Sequence, residues 1–367
     1  MPLLALHTVE LQSALQFLPL ADLLSFCRCS PATRAVASSP FVFRHVSPVV
    51  STSTKLEEAL CRSSPLLRLV PLRIVWQPAN GVQVREHVES ITQAQLLVRG
   101  FDASGGVALD MDLWDLVLNC SWARGLRKLK LHEADPQTGC RSFRRTFDLI
   151  AALPHLAQLH MIVKERTRDL TPWFALAAST SLTHATFDDR SWNWIGGQPF
   201  NLQAPNLTSL HLNSQFLMGQ DFAVFFAHQS MRQLRRLHLQ RLRVEAVLNG
   251  QAQAMAGFTQ LVNLEEITLT EVLCSSWLLD EFHRLPLLRL VTMQLHWRSQ
   301  GDTSFIPDGH YVEMLRRSPQ LHCVITPPAR QGSHSKAFRT RWEILLRSVL
   351  FVEFGARMRI QSIPNLE

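Results

Sequence analysis

The sequence reads Leu207-Thr-Ser-Leu210-His-Leu212 and, 27 residues later, Leu234-Arg-Arg-Leu237-His-Leu239. Both stretches place leucine at positions one, four and six. Side chains alternate along an extended chain, so positions four and six share one side and positions three, five and seven share the other. Each stretch therefore predicts a short strand with an apolar side and a polar side.

The same pattern recurs along most of the chain. Successive copies are separated by 30, 26, 25, 27, 30, 24 and 33 residues, and they begin at Leu126, Leu156, Leu182, Leu207, Leu234, Leu264, Leu288 and Leu321. In the last copy, Leu321-His-Cys-Val324-Ile-Thr326, the pattern assigns Val324 and Thr326 to positions four and six. Two earlier copies also fit, Leu69-Val-Pro-Leu72-Arg-Ile74 and a degenerate one ending in Leu96-Leu97-Val98. The segments between copies have helical periodicity, so each unit is expected to be one strand and one helix.

This period resembles that of leucine-rich repeats, whose units bury their apolar sides only when they stack. The resemblance implies an α/β solenoid over residues 49–335, a horseshoe of about 8–10 irregular units with parallel strands on its concave side and helices on its convex side. The asparagine usual in that family, three positions after the last leucine, is missing. Backbone groups at the turns must therefore be satisfied in another way. Residues 336–367 contain an amphipathic pattern, Ala337–Phe354, that predicts a helix capping the last repeat.

The first residues, 1–48, do not follow the repeat and predict three short helices. Their stretches Phe17-Leu18-Pro19-Leu20-Ala21-Asp22-Leu23-Leu24 and Ser39-Pro40-Phe41-Val42-Phe43-Arg44 resemble an F-box, a family often followed by leucine-rich repeats. The resemblance implies a substrate adaptor of an SCF-type cullin-RING ubiquitin ligase, with the F-box docked on the Skp subunit. The residues it assigns to docking are Leu11, Leu15, Leu18, Pro19, Leu20, Leu23 and Leu24.

Three positions depart from the F-box pattern. Thr8 stands where the family has its first proline, and Thr33 and Phe43 stand where tryptophans often fall. The alternative is that these helices only cap the repeats. The protein would then be a protein-interaction scaffold without a role in a ligase.

The outward strand positions predict a binding surface for a protein substrate. They are basic and rich in histidine in the earlier copies, so they favour an acidic or phosphorylated segment. A solvated surface without a specific ligand is the alternative. The residues assigned to substrate binding are Lys128, Lys130, His160, His211, Arg236 and His238 on the strands, with Trp192, Trp194 and Trp297 in loops. We do not expect the histidines to hold a metal.

Composition limits the other classes of function. The net charge is +7, and 32 of the 37 basic residues are arginine, which keeps a nucleic-acid-binding repeat protein as a lesser alternative. The seven cysteines are scattered, which favours a reducing compartment, and the sequence shows no membrane-length apolar run or secretory signal. We expect a cytoplasmic or nuclear protein, monomeric outside its complex.

Motifs of catalysis are missing from the sequence. It has no GxSxG, HExxH, GxxxxGK or GxGxxG pattern, so neither an enzyme nor a cofactor is expected.

Overall fold

The chain divides into two compact units, Met1–Ile162 and Val163–Glu367. The computed structural model describes residues 8–15, 18, 22, 25–26, 29–37, 42, 49–51, 72–75, 81–93, 95–103, 111–132, 149–163, 179–189, 204–213, 217–218, 226, 229–240, 244–245, 258–270, 279, 282–294, 308–326 and 357–360.

The first unit begins with two helices and continues with parallel strands. Its helices are α1 (Thr8–Leu15), α2 (Pro31–Ala37), α3 (Gly81–Gln93) and α4 (Met111–Asn119), with a 3-10 turn at Ser121–Gly125. Its strands are β1 (Val49–Ser51), β2 (Leu72–Val75), β3 (Val98–Asp102), β4 (Lys128–His132) and β5 (Gln158–Val163). Each strand pairs in parallel with the next along the chain. Parallel neighbours in chain order require a crossover between strands, as the repeat predicts.

The second unit repeats this arrangement. Its main strands are β6 (His184–Asp189), β7 (Ser209–Asn213), β9 (Arg236–Gln240), β11 (Glu266–Thr270), β12 (Leu290–Gln294), β13 (His322–Thr326) and β14 (Met358–Ile360). They pair in parallel in that order. The short strands β8 (Leu217–Met218) and β10 (Val244–Glu245) form a separate pair. Further helical elements are the 3-10 turns Gln229–Gln233 and Phe282–Arg284 and the helix α5 (Asp308–Arg317).

The register of the pairs confirms the predicted repeat within each unit. Position four pairs with position four, as Leu210 does with Leu237 and Leu237 with Ile267. The residues at positions one, four and six of the copies from Leu126 to Leu288 are at most 6% exposed. The leucines therefore form the core of each unit. The outward positions of β6, β7, β9 and β11 are polar, as alternation predicts, whereas β5, β12 and β13 carry Ile162, Leu290 and Val324 at outward positions.

Three copies lie in a different register from the prediction. In the copy at Leu69, Leu72 pairs with Val98 and Ile74 with Phe101, so Ile74 occupies position four and not position six. Phe101 pairs with Leu129, so the degenerate copy begins at Val98, where the sequence pattern had ended it, and runs to Ala103. In the last copy Cys323, not Val324, pairs with Val291 at position four. Val98, Phe101, Ala103 and Cys323 are all at most 5% exposed. Burial chooses the residue that fits the core, whether or not it is leucine.

Cys323 gives a direct test of this register. Burial raises the pKa of its thiol to about 12, so almost none of the reactive thiolate is present at neutral pH. Cys29 is exposed. We expect iodoacetamide to label Cys323 at least about tenfold more slowly than Cys29 in the native protein, with similar rates in denaturant. Peptide mass spectrometry measures both sites, and equal native rates would contradict the assignment.

A tight turn precedes strands β4, β5, β7, β9, β11, β12 and β13 and takes over part of the role of the missing asparagine. The amide of position one donates to the carbonyl three residues earlier, as from Leu207 to Ala204 and from Leu234 to Met231, both at 3.0 Å. Asn206 and Asn263, one residue before position one, donate from Nδ2 to the Thr180 and Arg232 carbonyls of the preceding turns at 2.7 Å. These amides bridge neighbouring turns before the strands, whereas the family's usual asparagine follows them.

The two short helices at the N-terminus, α1 and α2, are in contact with each other. Ser30 caps α2: the Thr33 amide donates to Ser30 Oγ at 3.1 Å and the Ser30 amide donates to Thr33 Oγ1 at 2.9 Å. Thr33 thus serves a capping box at a position where an F-box often has tryptophan. Leu11 and Leu15 are buried and Leu18 is half-buried. Pro19, Leu20, Leu23 and Leu24 lie outside the described residues.

At the other end, strand β14 continues the sheet, which the sequence did not predict. Arg357, just before β14, donates from Nη1 to the carbonyls of Leu315, Ser318 and Pro319 at 3.2, 3.2 and 2.8 Å. It therefore satisfies carbonyls at the C-terminal end of α5 and ties β14 to that helix. The predicted capping helix, Ala337–Phe354, lies outside the described residues. Among the helices that the structure describes, none is both long and apolar enough to cross a membrane.

Candidate functional site

In the second unit, the outward side of β6, β7, β9 and β11 carries hydrogen-bonding side chains on all four strands. We call it the polar face. The strand register aligns its outward positions in three rows, which are His184, Ser209, Arg236 and Glu266; Thr186, His211, His238 and Thr268; and Asp188, Asn213, Gln240 and Thr270.

Two imidazole rings stack at the centre of the polar face. His211 on β7 and His238 on β9 lie directly opposite each other in the register, with ring centroids 3.9 Å apart and an interplanar angle of 8°. His238 Nε2 lies 3.0 Å from the Thr270 hydroxyl. Because neighbouring strands fix both backbones, the rings stand as one rigid block among the surrounding polar groups.

Burial and proximity keep both rings neutral. Two effects together lower the pKa of His238 to about 4. The larger is desolvation by burial, and the smaller is the neighbouring His211. Desolvation also lowers the pKa of His211, against the raising effects of a hydrogen bond with Gln240 and of the Asp188 charge. At neutral pH the pair is therefore a hydrogen-bonding group without net charge, and not the cationic ladder that a histidine-rich sequence suggests.

In each of the other two rows of the polar face, side chains of neighbouring strands contact each other. Asn213 is 5% exposed and donates from Nδ2 to Asp188 Oδ1 at 2.7 Å. Arg236, assigned from the sequence to substrate binding, forms an ion pair with Glu266 of the next strand, with Nε and Oε2 3.2 Å apart. Its charge is therefore balanced within the face.

In the first unit, a carboxylate balances part of the predicted basic surface. Asp102 Oδ2 on β3 lies 3.2 Å from Arg73 Nη2 and 3.9 Å from Lys130 Nζ. Gly100 permits this approach, because a Cβ there would stand 3.1 Å from Arg73 Cγ. Lys128 is exposed, and His160 is half-buried. Asp102 thus hydrogen-bonds Arg73, while Lys130, one of the two lysines assigned to substrate binding, lies close enough for a longer ion pair with it.

Removing the Asp102 charge tests this cluster. Asp102→Asn keeps the shape of the side chain but leaves Arg73 and Lys130 without their shared carboxylate. We expect the free energy of unfolding to fall by about 1 kcal/mol, because one partner is buried and the two cations are partly exposed. Urea titration measures the loss, with Glu89→Gln on the exposed side of α3 as a matched control. Equal stability of Asp102→Asn and wild type would show that the cluster contributes nothing.

The tryptophans that the sequence assigned to substrate binding lie outside the described residues; they are Trp192, Trp194 and Trp297. Within the described part of the chain, no group of three or more histidine, cysteine or acidic side chains could hold a metal ion. The sequence missed Asp102 and Glu266 as partners because each sits on the strand next to its cation, in another copy of the repeat.

Comparison with known proteins gives little beyond this geometry. The sequence matches no known protein-family model and no curated protein sequence. Among solved structures it is similar to a crystal structure of a TLR13–ssRNA13 complex, with 14% sequence identity and a TM-score of 0.40. The match covers 71% of this chain and 32% of that chain, so the chain spans about a third of that neighbour's length. The fold of each unit is established by its own strand register and core.

Proposed function

We propose that this chain is a non-catalytic repeat scaffold that binds a partner protein on the polar face. The observation that carries the proposal is the stacked His211–His238 pair, held by adjacent strands among aligned hydroxyl, amide and carboxylate groups. Groups that are fixed before binding lose little conformational freedom when a partner arrives, so they contribute more to affinity.

Site-specific crosslinking tests this proposal. A photo-reactive amino acid is placed at Thr268, on the polar face, and in a matched variant at Glu89, on the exposed side of α3. We expect one protein to crosslink in cells at Thr268 and not at Glu89, and its yield to fall when His238→Gln is added. Crosslinking that is equal at the two positions, or that is insensitive to His238→Gln, would contradict the proposal.

We also propose, as the finer function, that the chain is the substrate adaptor of an SCF-type ubiquitin ligase. The resemblance of its N-terminal residues to an F-box supports this, as does the packing of the two short helices, α1 and the capped α2. In α1 the buried Leu11 and Leu15 fit the core of such a domain. Of the three assigned docking residues that the structure describes, Leu18 is the one that is only half-buried.

Binding to purified Skp, alone and in complex with cullin, tests the adaptor function on the full chain. We expect Leu18→Asp, just after α1, to abolish binding, while Ala14→Asp, at an exposed position of α1, leaves it in place. Circular dichroism of both variants shows whether the repeats remain folded. If the wild-type chain binds neither subunit, the adaptor function is wrong and the scaffold without a ligase role stands.

A further inference from the structure

A second surface lies at the N-terminal ends of β9, β11 and β12, in the turns that lead into these strands. Val262 and Leu287 are 47% and 51% exposed there, and they are the large hydrophobic side chains that the described residues expose. They belong to neighbouring repeats, since β11 and β12 pair directly. Strands of a sheet lie about 4.8 Å apart, so one ligand segment can reach both side chains.

Arginines surround these two aliphatic side chains. Arg232 in the turn before β9 is exposed, and the side chains of Arg235 and Arg289 are 65% and 61% exposed. We call Arg232, Arg235, Val262, Leu287 and Arg289 the arginine–aliphatic rim. Its residues precede the outward strand positions that make up the polar face, and Arg289 Nη2 also lies 4.0 Å from Glu266 Oε1 on that face.

The rim carries more positive than negative charge. Glu265 is shared between Arg289, at 2.6 Å, and Arg235, at 3.7 Å. The longer separation exceeds a hydrogen bond, so Arg235 keeps donors for another acceptor. Among the described residues Arg232 forms no ion pair. Arg232 and Arg235 can therefore donate hydrogen bonds from their guanidinium groups to a carboxylate of a ligand.

We propose that the arginine–aliphatic rim docks a short acidic polypeptide segment that carries aliphatic side chains. The carboxylates of the segment bind the guanidinium groups of Arg232, Arg235 and Arg289, and its aliphatic side chains cover Val262 and Leu287. The proposal concerns residues other than those of the polar face, so its test is independent of the tests of the scaffold and adaptor functions.

Charge complementarity favours this occupant over two others. Single-stranded nucleic acid is bound by stacking its bases on aromatic rings, but the exposed large side chains described on the rim are aliphatic. A second copy of the chain carries the same net charge of +7, which opposes the approach of one rim to another.

Fluorescence anisotropy on the full chain tests the proposal with a labelled peptide of glutamate and leucine. We expect Arg235→Gln with Arg289→Gln to weaken binding about tenfold, since two charge-assisted contacts are lost. Val262→Ser with Leu287→Ser should weaken it about fivefold through lost apolar burial. The matched control is Arg85→Gln with Arg124→Gln, exposed arginines of the first unit, which should leave binding within about twofold of wild type.

Four results would overturn the proposal. The peptide could fail to bind below about millimolar concentration, the range of nonspecific contacts. A peptide with serine in place of leucine could bind equally well. A uridine oligonucleotide could bind more tightly and lose affinity in the arginine variant, which would assign the rim to nucleic acid. The chain could self-associate in sedimentation and lose this association in the Val262→Ser, Leu287→Ser variant, which would assign the rim to a second copy.

Discussion

Phe258→Ala is expected to lower the free energy of unfolding of the second unit by about 3–5 kcal/mol. The Phe258 ring is 1% exposed and stands between two other buried rings. Its centroid lies 6.1 Å from that of Phe226, edge to face, and 6.0 Å from that of Phe282, tilted. The three rings come from successive repeats, so alanine opens a cavity that faces a neighbour on both sides.

Guanidinium or urea titration followed by circular dichroism measures this loss. The control is Val262→Ala. Val262 lies in the turn before β11 and is 47% exposed, so this change should alter the free energy of unfolding by less than about 0.5 kcal/mol. A loss below about 1 kcal/mol for Phe258→Ala would show that the repeats do not rely on this ring contact. Comparable losses for both variants would show that the turn matters as much as the core.

The strands could be predicted from the sequence because their pattern is local. Each copy from Leu126 to Leu288 buries its own positions four and six, and alternation alone determines which side chains point outward. The copies at Val98 and Leu321 were misplaced because phenylalanine, alanine and cysteine replace leucine at the buried positions. Burial selects for size and apolarity, and a pattern written in leucine does not contain that information.

The contacts of the site could be predicted only in part. The sequence placed His211 and His238 at the same outward position, and neighbouring strands bring them into contact. It also assigned positive charge to Lys130 and Arg236, whereas the structure places Asp102 and Glu266 beside them. Such pairs join residues about one repeat apart, so the distance between their charged groups depends on strand register. The spacing of the leucines does not determine this register exactly, because the copies differ in length.

These pairings also change what kind of partner the polar face suits. With Arg236 paired and the histidines neutral, the face offers hydrogen bonds from hydroxyl, amide and imidazole groups, and little net charge. Incompletely paired arginines lie instead in the turns before the strands, at Arg232 and Arg235. The preference for an acidic segment that the sequence suggested is therefore better satisfied by the arginine–aliphatic rim than by the face.

Acid is expected to destabilise the second unit through the histidine pair. The pKa of His238 is about 4 in the folded chain, below its ordinary value of 6.5, so the unfolded chain binds the proton more readily between these values. The stabilising contribution is thus complete above pH 6.5 and is lost as the pH falls toward 4.

His238→Gln should remove this loss while keeping a polar side chain beside Thr270. Because the ring is only half-buried, solvent screening reduces the full linkage energy, and we expect wild type to lose about 1–2 kcal/mol more than the variant between neutral pH and pH ~4.5. Urea titrations across that range measure the difference, and His322→Gln, at an exposed position of β13, is the matched control. If His238→Gln keeps the wild-type acid profile, the stacked pair does not carry the proton linkage, and the carboxylates of the unit must.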